Sequence, residues 1–140
     1  MTPYTRRCES AIIQGMKPEV YERLVLQAIA SLPDDLRSQL DNVAIVVEDR
    51  PGREQLHAAG IRPPQTLFGL YQGIPHTGRG AWYGNVLPDK ITIFRKPIEA
   101  YSPTWDDLVR TVRQTVLHEI GHHFGLSDER LREIERTWRE

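Results

Sequence analysis

One short pattern near the end of the chain constrains the fold more than any other feature of the sequence. Residues 118–122 read His-Glu-Ile-Gly-His, and the pattern continues through Gly125 to Asp128, giving H-E-x-x-H-x-x-G-x-x-D. A shuffled chain of this composition would contain the longer pattern roughly 0.00006 times, so coincidence is a poor explanation for it. In an α-helix, His118 and His122 lie about 40° apart around the axis and about 6 Å apart along it. The pattern therefore predicts a helix that presents two imidazoles on one face.

The residues on either side predict where this helix begins and ends. Ser102 or Thr104 is placed to cap its first turn, where two aspartates favour the N-terminal end of the helix dipole. Gly125 suits the left-handed turn that ends a helix, so we expect the helix to run from about residue 104 to residue 124. Polar side chains share the histidine face, whereas most of the remaining circumference is apolar. A last helix is expected over residues 128–138.

The preceding part of the chain predicts a mixture of helices and short strands. Pro18 suits the first turn of a helix whose apolar residues recur every four positions as far as Leu32, and a second, short helix is expected over residues 34–40. Three short segments are expected to form strands: residues 43–47, 66–71 and 90–95. Residues 53–65 show no clear pattern, and the glycine-rich residues 69–84 are expected to form a long loop.

Length and composition limit the classes of protein to which the chain can belong. Its 140 residues suit one domain, which we place at residues 17–140, with residues 1–16 as an N-terminal arm. Hydrophobic residues make up 39% and charged residues 26%, as in globular proteins, and no apolar run approaches the roughly 20 residues of a membrane-spanning helix. The net charge of −1 favours neither nucleic acid nor a membrane as partner, and the single cysteine, Cys8, excludes an internal disulfide. We therefore expect a soluble, cytoplasmic protein.

Two histidines at this spacing predict a metal site. Zinc in catalytic sites takes three protein ligands and keeps a fourth position for water, and His118 and His122 supply two of the three. Glu119 lies about 100° from His118 around the helix, where its carboxylate flanks the ion and can accept a proton from that water as general base. We therefore expect one zinc ion per chain, while iron, manganese, cobalt and nickel accept the same donor types.

The third ligand is expected to be a carboxylate that follows the helix. Gly125 allows the chain to reverse, and Asp128 then comes at the spacing at which H-E-x-x-H-x-x-G patterns supply their third ligand. The alternative is that Asp128 caps the last helix and that Glu129 or Glu133 binds the ion instead. Ser127 is a competing cap that would leave Asp128 to the metal. The spacing favours Asp128.

The segment HEIGHHFGLSDERL resembles the signature of small bacterial zincins, a family of predicted zinc-dependent proteases with a minimal metalloprotease-like domain. The segments LDNVAIVVEDRP, LFGLYQGIP and YGNVLPDKITIFRKPI are similar to that family too, so the resemblance covers roughly residues 17–135. It implies a minimal zincin-like α+β fold, in which a small mixed sheet accompanies an N-terminal helix, a long motif helix and a short C-terminal helix. It also implies that His118, His122 and Asp128 are metal ligands and that Glu119 is the general base.

The motif and the resemblance together predict a hydrolase, a zinc metalloprotease that cleaves peptides or unfolded protein segments with a metal-activated water. Two other classes remain open. The first is a zinc-stabilised module that binds peptides or proteins with weak or no hydrolysis. The second is an interaction domain without a metal, in which the two histidines merely face solvent. Glu119 distinguishes a catalytic zinc site from that of the zinc-stabilised module, because a structural zinc site needs no base and takes four protein ligands.

Several polar side chains outside the motif have roles that the sequence leaves open. Tyr71, His76 and Tyr83 are candidates to donate a hydrogen bond to the oxyanion or to contact substrate, and ordinary packing is their alternative. His123 lies about 140° from His118, on the apolar side of the helix, and is expected to be a hydrogen-bonded core histidine rather than a ligand. An edge strand next to the glycine-rich loop is expected to hold a peptide substrate by strand addition.

Overall fold

The computed structural model describes residues 16–40, 42–62, 64–73 and 88–138. These residues form six helices and three strands. In chain order they are α1 (Pro18–Ala30), α2 (Asp34–Arg37), β1 (Val43–Glu48), α3 (Arg53–Ala58), β2 (Gly69–Gln72), β3 (Asp89–Phe94), α4 (Arg95–Tyr101), α5 (Trp105–His123) and α6 (Asp128–Thr137). The expected α+β fold is confirmed, with an N-terminal helix, a long helix that carries the motif and a short last helix. The arm expected at residues 1–16 lies outside the described residues except for Met16.

The sheet is small and mixed, as expected, with the strand order β1-β3-β2. β1 runs parallel to β3, in a register that pairs Val43 with Asp89. β2 runs antiparallel to β3 and pairs Gly69 with Ile93. The central strand β3 is the most buried, because it is covered on both faces and has a hydrogen-bonded neighbour on each side. β2 therefore forms one edge of the sheet as far as the described residues show it, and this is the edge beside α5.

The core lies between the sheet and the helices α1 and α5. The two helices pack against each other and bury apolar residues at helical spacing, of which each Val, Leu or Ile contributes about 1.5–3 kcal/mol by leaving water. The buried residues are Tyr21, Leu24, Val25 and Ala28 in α1, and Leu108, Val112, Val116, Leu117 and Ile120 in α5. This packing fixes the apolar side of α5 inward, so its opposite side, which carries the motif histidines, is left facing out. None of the described helices is long and apolar enough to cross a membrane.

The ends of α5 and α6 follow the capping signals in the sequence. The side-chain oxygen of Thr104 accepts the amide N–H of Asp107 at 3.1 Å, so Thr104 rather than Ser102 caps α5. Gly125 has a φ of 76°, the left-handed conformation expected at the helix end. The side chain of Ser127 accepts the amide N–H of Arg130 at 3.1 Å and caps α6. Asp128 is therefore the first residue of α6 and not its cap.

Two short helices were not evident in the sequence. α3 falls in the segment without a clear pattern, and its first turn is held by the Gln55 side chain, which accepts the Gly52 amide N–H at 2.7 Å. α4 begins directly after β3, and Pro97 lies in its first turn, where a missing N–H is tolerated. β2 begins three residues later than the expected strand at 66–71. Residues 74–87, which contain most of the expected glycine-rich loop, lie outside the described residues.

Candidate metal centre

α5 presents His118 and His122 together, as the motif spacing predicted. Their ring centroids are 5.9 Å apart and the rings are perpendicular to each other. The His118 side chain is 42% exposed and that of His122 is 56% exposed, so both imidazoles are accessible from solvent. Two ligands of one metal ion must be accessible on the same face of the helix, as these two histidines are.

Glu119 is turned from the histidines toward the sheet edge. Its Oε1 accepts the backbone N–H of Tyr71 in β2 at 3.3 Å. This N–H is available because of the strand pairing: the Phe68 carbonyl accepts the N–H of Phe94 at 2.9 Å. In this register alternate residues of β2, including Tyr71, point their backbone groups away from β3 and toward α5. β2 therefore orients the carboxylate of Glu119.

The electrostatic surroundings of Glu119 suit a proton acceptor. Burial raises the pKa of its carboxyl group above the usual value. The hydrogen bond from the Tyr71 N–H and the positive charge that His122 and His118 can carry act in the opposite direction and lower that pKa. The net rise makes the carboxylate a stronger base than an exposed glutamate.

Asp128 lies close to His122, although it is not drawn into the site. Its Oδ1 is 4.0 Å from Nε2 of His122, and its side chain is 83% exposed. Two ligands of one tetrahedral zinc ion lie about 3.4 Å apart when each bond is about 2.1 Å long. A rotation of one exposed side chain closes this difference. Of the rival carboxylates, Glu133 pairs with Arg130 at 3.3 Å.

A second carboxylate, which the sequence analysis missed, contacts the other histidine. Oε1 of Glu135 in α6 lies 2.6 Å from Nε2 of His118. The Glu135 side chain is only 19% exposed. Leu131 and Ile134 form the buried stripe of α6, and Glu135 follows them at helical i+4 and i+1 positions, on the edge of the same face. That spacing is the sequence signal that indicates Glu135 approaches α5.

The donor types around the two histidines fit a zinc ion. One class of catalytic zinc site uses two histidines and one acidic residue as ligands, and imidazoles and carboxylates are the groups that lie here. In the described ranges, no group of three or more His, Cys, Asp or Glu side chains has yet converged closely enough to hold an ion. The residues are therefore suitable in their chemistry, although their side chains are not arranged around one point in the described residues.

The other candidate residues fall partly within the described chain. The hydroxyl of Tyr71 donates to Oδ2 of Asp89 at 2.8 Å, and burial together with this bond raises the pKa of Tyr71. His76 and Tyr83 lie outside the described residues, as does Cys8. The expectation of a core position for His123 is wrong, because its side chain is exposed. It is the last residue of α5, where the helix has passed the core, and it packs on the Tyr71 ring with the centroids 4.5 Å apart.

A shallow cavity lies beside the motif. It has a volume of about 320 Å³ and is bounded by His118 and Glu119 together with the residues that precede β2 and the end of α4. Phe68 and Tyr101 line it with rings whose centroids are 5.3 Å apart, and Tyr101 is 68% exposed. An apolar surface therefore adjoins the candidate base.

Comparisons with known proteins bear on the family and the fold of the chain. The family model described as zincin-like metallopeptidase matches residues 40–138. No curated protein matches the chain significantly. Among solved structures, the chain is similar to a conserved hypothetical protein from Thermo thermophilus, with a TM-score of 0.52 and 22% sequence identity over 78% of this chain and 94% of that chain. At this identity the likeness shows a shared fold.

Proposed function

The chain belongs to the zincin-like metallopeptidase family, and from this premise we propose that it is a zinc-dependent peptidase that hydrolyses peptide bonds. The observation that carries the proposal is the position of Glu119, a partly buried carboxylate with a raised pKa, beside two accessible histidines on α5. A zinc site that only stabilises a fold has no use for a free base at this position.

His118 and His122 would hold the ion, together with a carboxylate for which the motif spacing favours Asp128. When bound, zinc lowers the pKa of a coordinated water and polarises a carbonyl group. Glu119 accepts a proton from the attacking water and passes it to the leaving amine. The backbone N–H of Tyr71 keeps the carboxylate in place during this transfer, because it holds Oε1 at 3.3 Å.

The substrate in this proposal is a peptide or an unfolded protein segment. β2 is an edge strand of the sheet that the described residues form, and extended peptides bind such edges by adding a strand. The cavity lined by Phe68 and Tyr101 lies directly beside Glu119 and offers space for an apolar side chain next to the bond that is cut. His76 and Tyr83 remain candidates for contacts with the oxyanion or with substrate, whereas the Tyr71 hydroxyl would first have to give up its hydrogen bond to Asp89.

Zinc content tests the metal part of the proposal. We expect about one zinc per chain in the wild type, and loss of zinc in His118→Ala and in His122→Ala, because each variant removes one of two imidazoles that share the ion. His123→Ala is the matched control, because this histidine lies on the same helix but packs on Tyr71, and it should keep its zinc. Full zinc content in His118→Ala would refute the assignment.

Cleavage of a peptide library tests the catalytic part. Glu119→Gln should keep zinc and lower the cleavage rate by about 100-fold or more, as expected when a positioned general base is lost. Equal cleavage by the wild type and Glu119→Gln would contradict the mechanism. Zinc binding without cleavage by either protein would favour the zinc-stabilised binding module instead.

A further inference from the structure

We propose that a cavity beside Arg113 binds an acidic side chain of the peptide substrate, an aspartate or glutamate about two to four residues from the bond that is cut. The inference rests on the proposed function, because it names a preference of the same peptidase for one class of substrate. The cavity is lined by residues of α5 and α6 and has a volume of about 630 Å³. A cavity of this size has room for a small ligand or a peptide side chain.

Arg113 is the basis of this assignment, because its guanidinium group has no carboxylate partner among the described residues. The side chain is half-buried, although arginine is rarely withdrawn from water unless its charge is paired. Its Cζ atom instead lies 4.9 Å from the centre of the Trp138 ring, in a cation–π contact. This contact restrains the guanidinium group, while its N–H donors find no acceptor in the described part of the chain.

A carboxylate supplies what Arg113 lacks. The guanidinium group is planar, and its paired N–H donors match the two oxygens of a carboxylate. The indole groups of Trp105 and Trp138 line the same cavity and offer apolar surface to the methylene groups that carry such a carboxylate. A cation with apolar walls around it therefore favours a carboxylate on a short apolar stem, which is the chemistry of aspartate and glutamate.

The other charged groups of the cavity do not pair with Arg113. Arg110 pairs with a neighbouring aspartate at 3.4 Å. Oε1 of Glu135 lies 2.6 Å from Nε2 of His118. Asp106 is in the first turn of α5, where it favours the positive end of the helix dipole, and it lies about 10 Å from Arg113 along the helix axis. Arg113 is therefore the cation of this cavity whose charge has no counterpart in the described ranges.

The cavity adjoins the candidate metal centre. Gln114 lines both this cavity and the one bounded by His118 and Glu119. Arg113 precedes His118 on α5 and lies about 7.5 Å from it along the helix axis and about 140° around the axis. An extended peptide advances about 3.3 Å per residue, so a chain that crosses Gln114 brings a side chain about two to four residues from the cut bond within reach of Arg113.

Matched pairs of peptides test this proposal. Every peptide has blocked termini, so that side chains carry the only carboxylates. One glutamate is moved through the positions on both sides of the cut bond, and each such peptide is compared with its glutamine counterpart. Values of kcat/KM are measured for the full-length wild type, Arg113→Gln, Arg113→Lys and Arg132→Gln. Arg132 is the matched control, because it is an exposed arginine of α6 that does not line the cavity.

We expect the wild type to prefer glutamate to glutamine by about 10-fold or more at one of these positions, because the contact is a hydrogen bond between charged groups. Arg113→Gln should lose this preference through a fall in kcat/KM for the glutamate peptide, whereas Arg132→Gln should keep it. Arg113→Lys should keep part of it, since lysine retains the charge but not the paired donors. If Arg113→Gln does not fold, as judged by circular dichroism, Arg113→Met is measured with the same expectation.

Binding without cleavage separates this proposal from the proposed function. The affinities of the same peptides, labelled with a fluorophore, are measured by fluorescence anisotropy for Glu119→Gln alone and for Glu119→Gln combined with Arg113→Gln. A preference for glutamate of about 10-fold in the first protein and none in the second supports the binding site. This holds even if the wild type cleaves no peptide, in which case the proposed function alone fails.

Two results would overturn the proposal. Equal kcat/KM and equal affinity for the glutamate and glutamine peptides at every position would show that the cavity selects no acidic side chain. A preference for glutamate that persists in Arg113→Gln would show that another group binds the carboxylate. Either result leaves the proposed peptidase activity intact, because that activity is tested by zinc content and by Glu119→Gln.

Discussion

The crossing of α5 and α6 can be tested by a double-mutant cycle at Gly121 and Leu131. A Cβ atom placed at Gly121 would lie 2.5 Å from Cδ2 of Leu131. Methyl groups in unstrained contact are about 3.5–4.0 Å apart, so Gly121→Ala requires Leu131 to move by about 1.0–1.5 Å. Leu131 is 1% exposed and has no solvent to move into. The variant therefore overpacks the crossing that holds Glu135 over His118.

The expected magnitudes follow from this contact. Overpacking a core costs about 1–3 kcal/mol, and alanine recovers about 1 kcal/mol over glycine inside a helix, so Gly121→Ala should lower the free energy of unfolding by about 0–2 kcal/mol. Leu131→Ala alone should cost about 2–5 kcal/mol. In the double variant the new methyl group enters the space that Leu131 vacates. The double variant should therefore be more stable than the sum of the single effects by about 1–3 kcal/mol.

Urea unfolding of the four metal-free proteins, followed by circular dichroism, measures this coupling. Gly52→Ala combined with Leu131→Ala is the control cycle, because a Cβ at Gly52 would lie at an ordinary 3.6 Å from the Gln55 side chain and far from α6 in the fold. That pair should be additive. Additivity within about 0.5 kcal/mol for the Gly121 and Leu131 pair would refute the close approach of the two helices.

Three further predictions concern single residues. Burial raises the pKa of Glu119 in the folded state, so the contribution of Glu119 to the free energy of unfolding is favourable below its unfolded pKa of about 4.3 and is lost as the pH rises. In urea unfolding without metal, Glu119→Gln should therefore be more stable relative to the wild type at pH 7 than at pH 4. The reverse order would contradict the direction of the pKa shift. Thr104→Ala should lower the free energy of unfolding by about 1 kcal/mol, because it removes the cap of α5, and a change below about 0.3 kcal/mol would argue against that cap. If the cavity beside Glu119 binds an apolar side chain of the substrate, Tyr101→Ala should raise KM for apolar peptides. Leu26→Ala, which changes another exposed apolar residue, on α1, should not.

The parts of the fold that the sequence predicts are those whose signals are local. The motif helix combines a cap at Thr104, a turn at Gly125 and an apolar stripe between them, and each signal acts within a few residues. α4 carries a contrary local signal, since Pro97 suggests an end rather than a beginning. It forms because Ile98, which is 0% exposed, packs into the core just after β3 ends. Tertiary packing of this kind leaves no periodic pattern in seven residues.

In the candidate site, too, the features set by local signals could be predicted and those set by packing could not. The shared face of His118 and His122 follows from helical geometry, and the sequence predicts it. The contact of Glu119 with the backbone of Tyr71 joins residues 48 positions apart, and that of Glu135 with His118 joins residues 17 positions apart. Neither follows from spacing along one element, because each depends on how two elements pack. The exposure of His123 has the same origin, since the helix wheel gives a direction but not the point at which the core ends.

The contact between Glu119 and β2 connects the proposed general base to the strand along which we propose that a peptide binds. Burial is the main cause of the raised pKa of Glu119, and the N–H of Tyr71 moderates it. A bound metal ion lowers that pKa by its charge, whereas a peptide laid over the cavity removes water from the carboxylate and raises it. If the proposed function holds, Glu119 is a stronger base with the peptide in place than without it, because the peptide removes water from the carboxylate. On the proposed function, the substrate would supply part of the shielding of Glu119, because the described sheet beside it has only three strands.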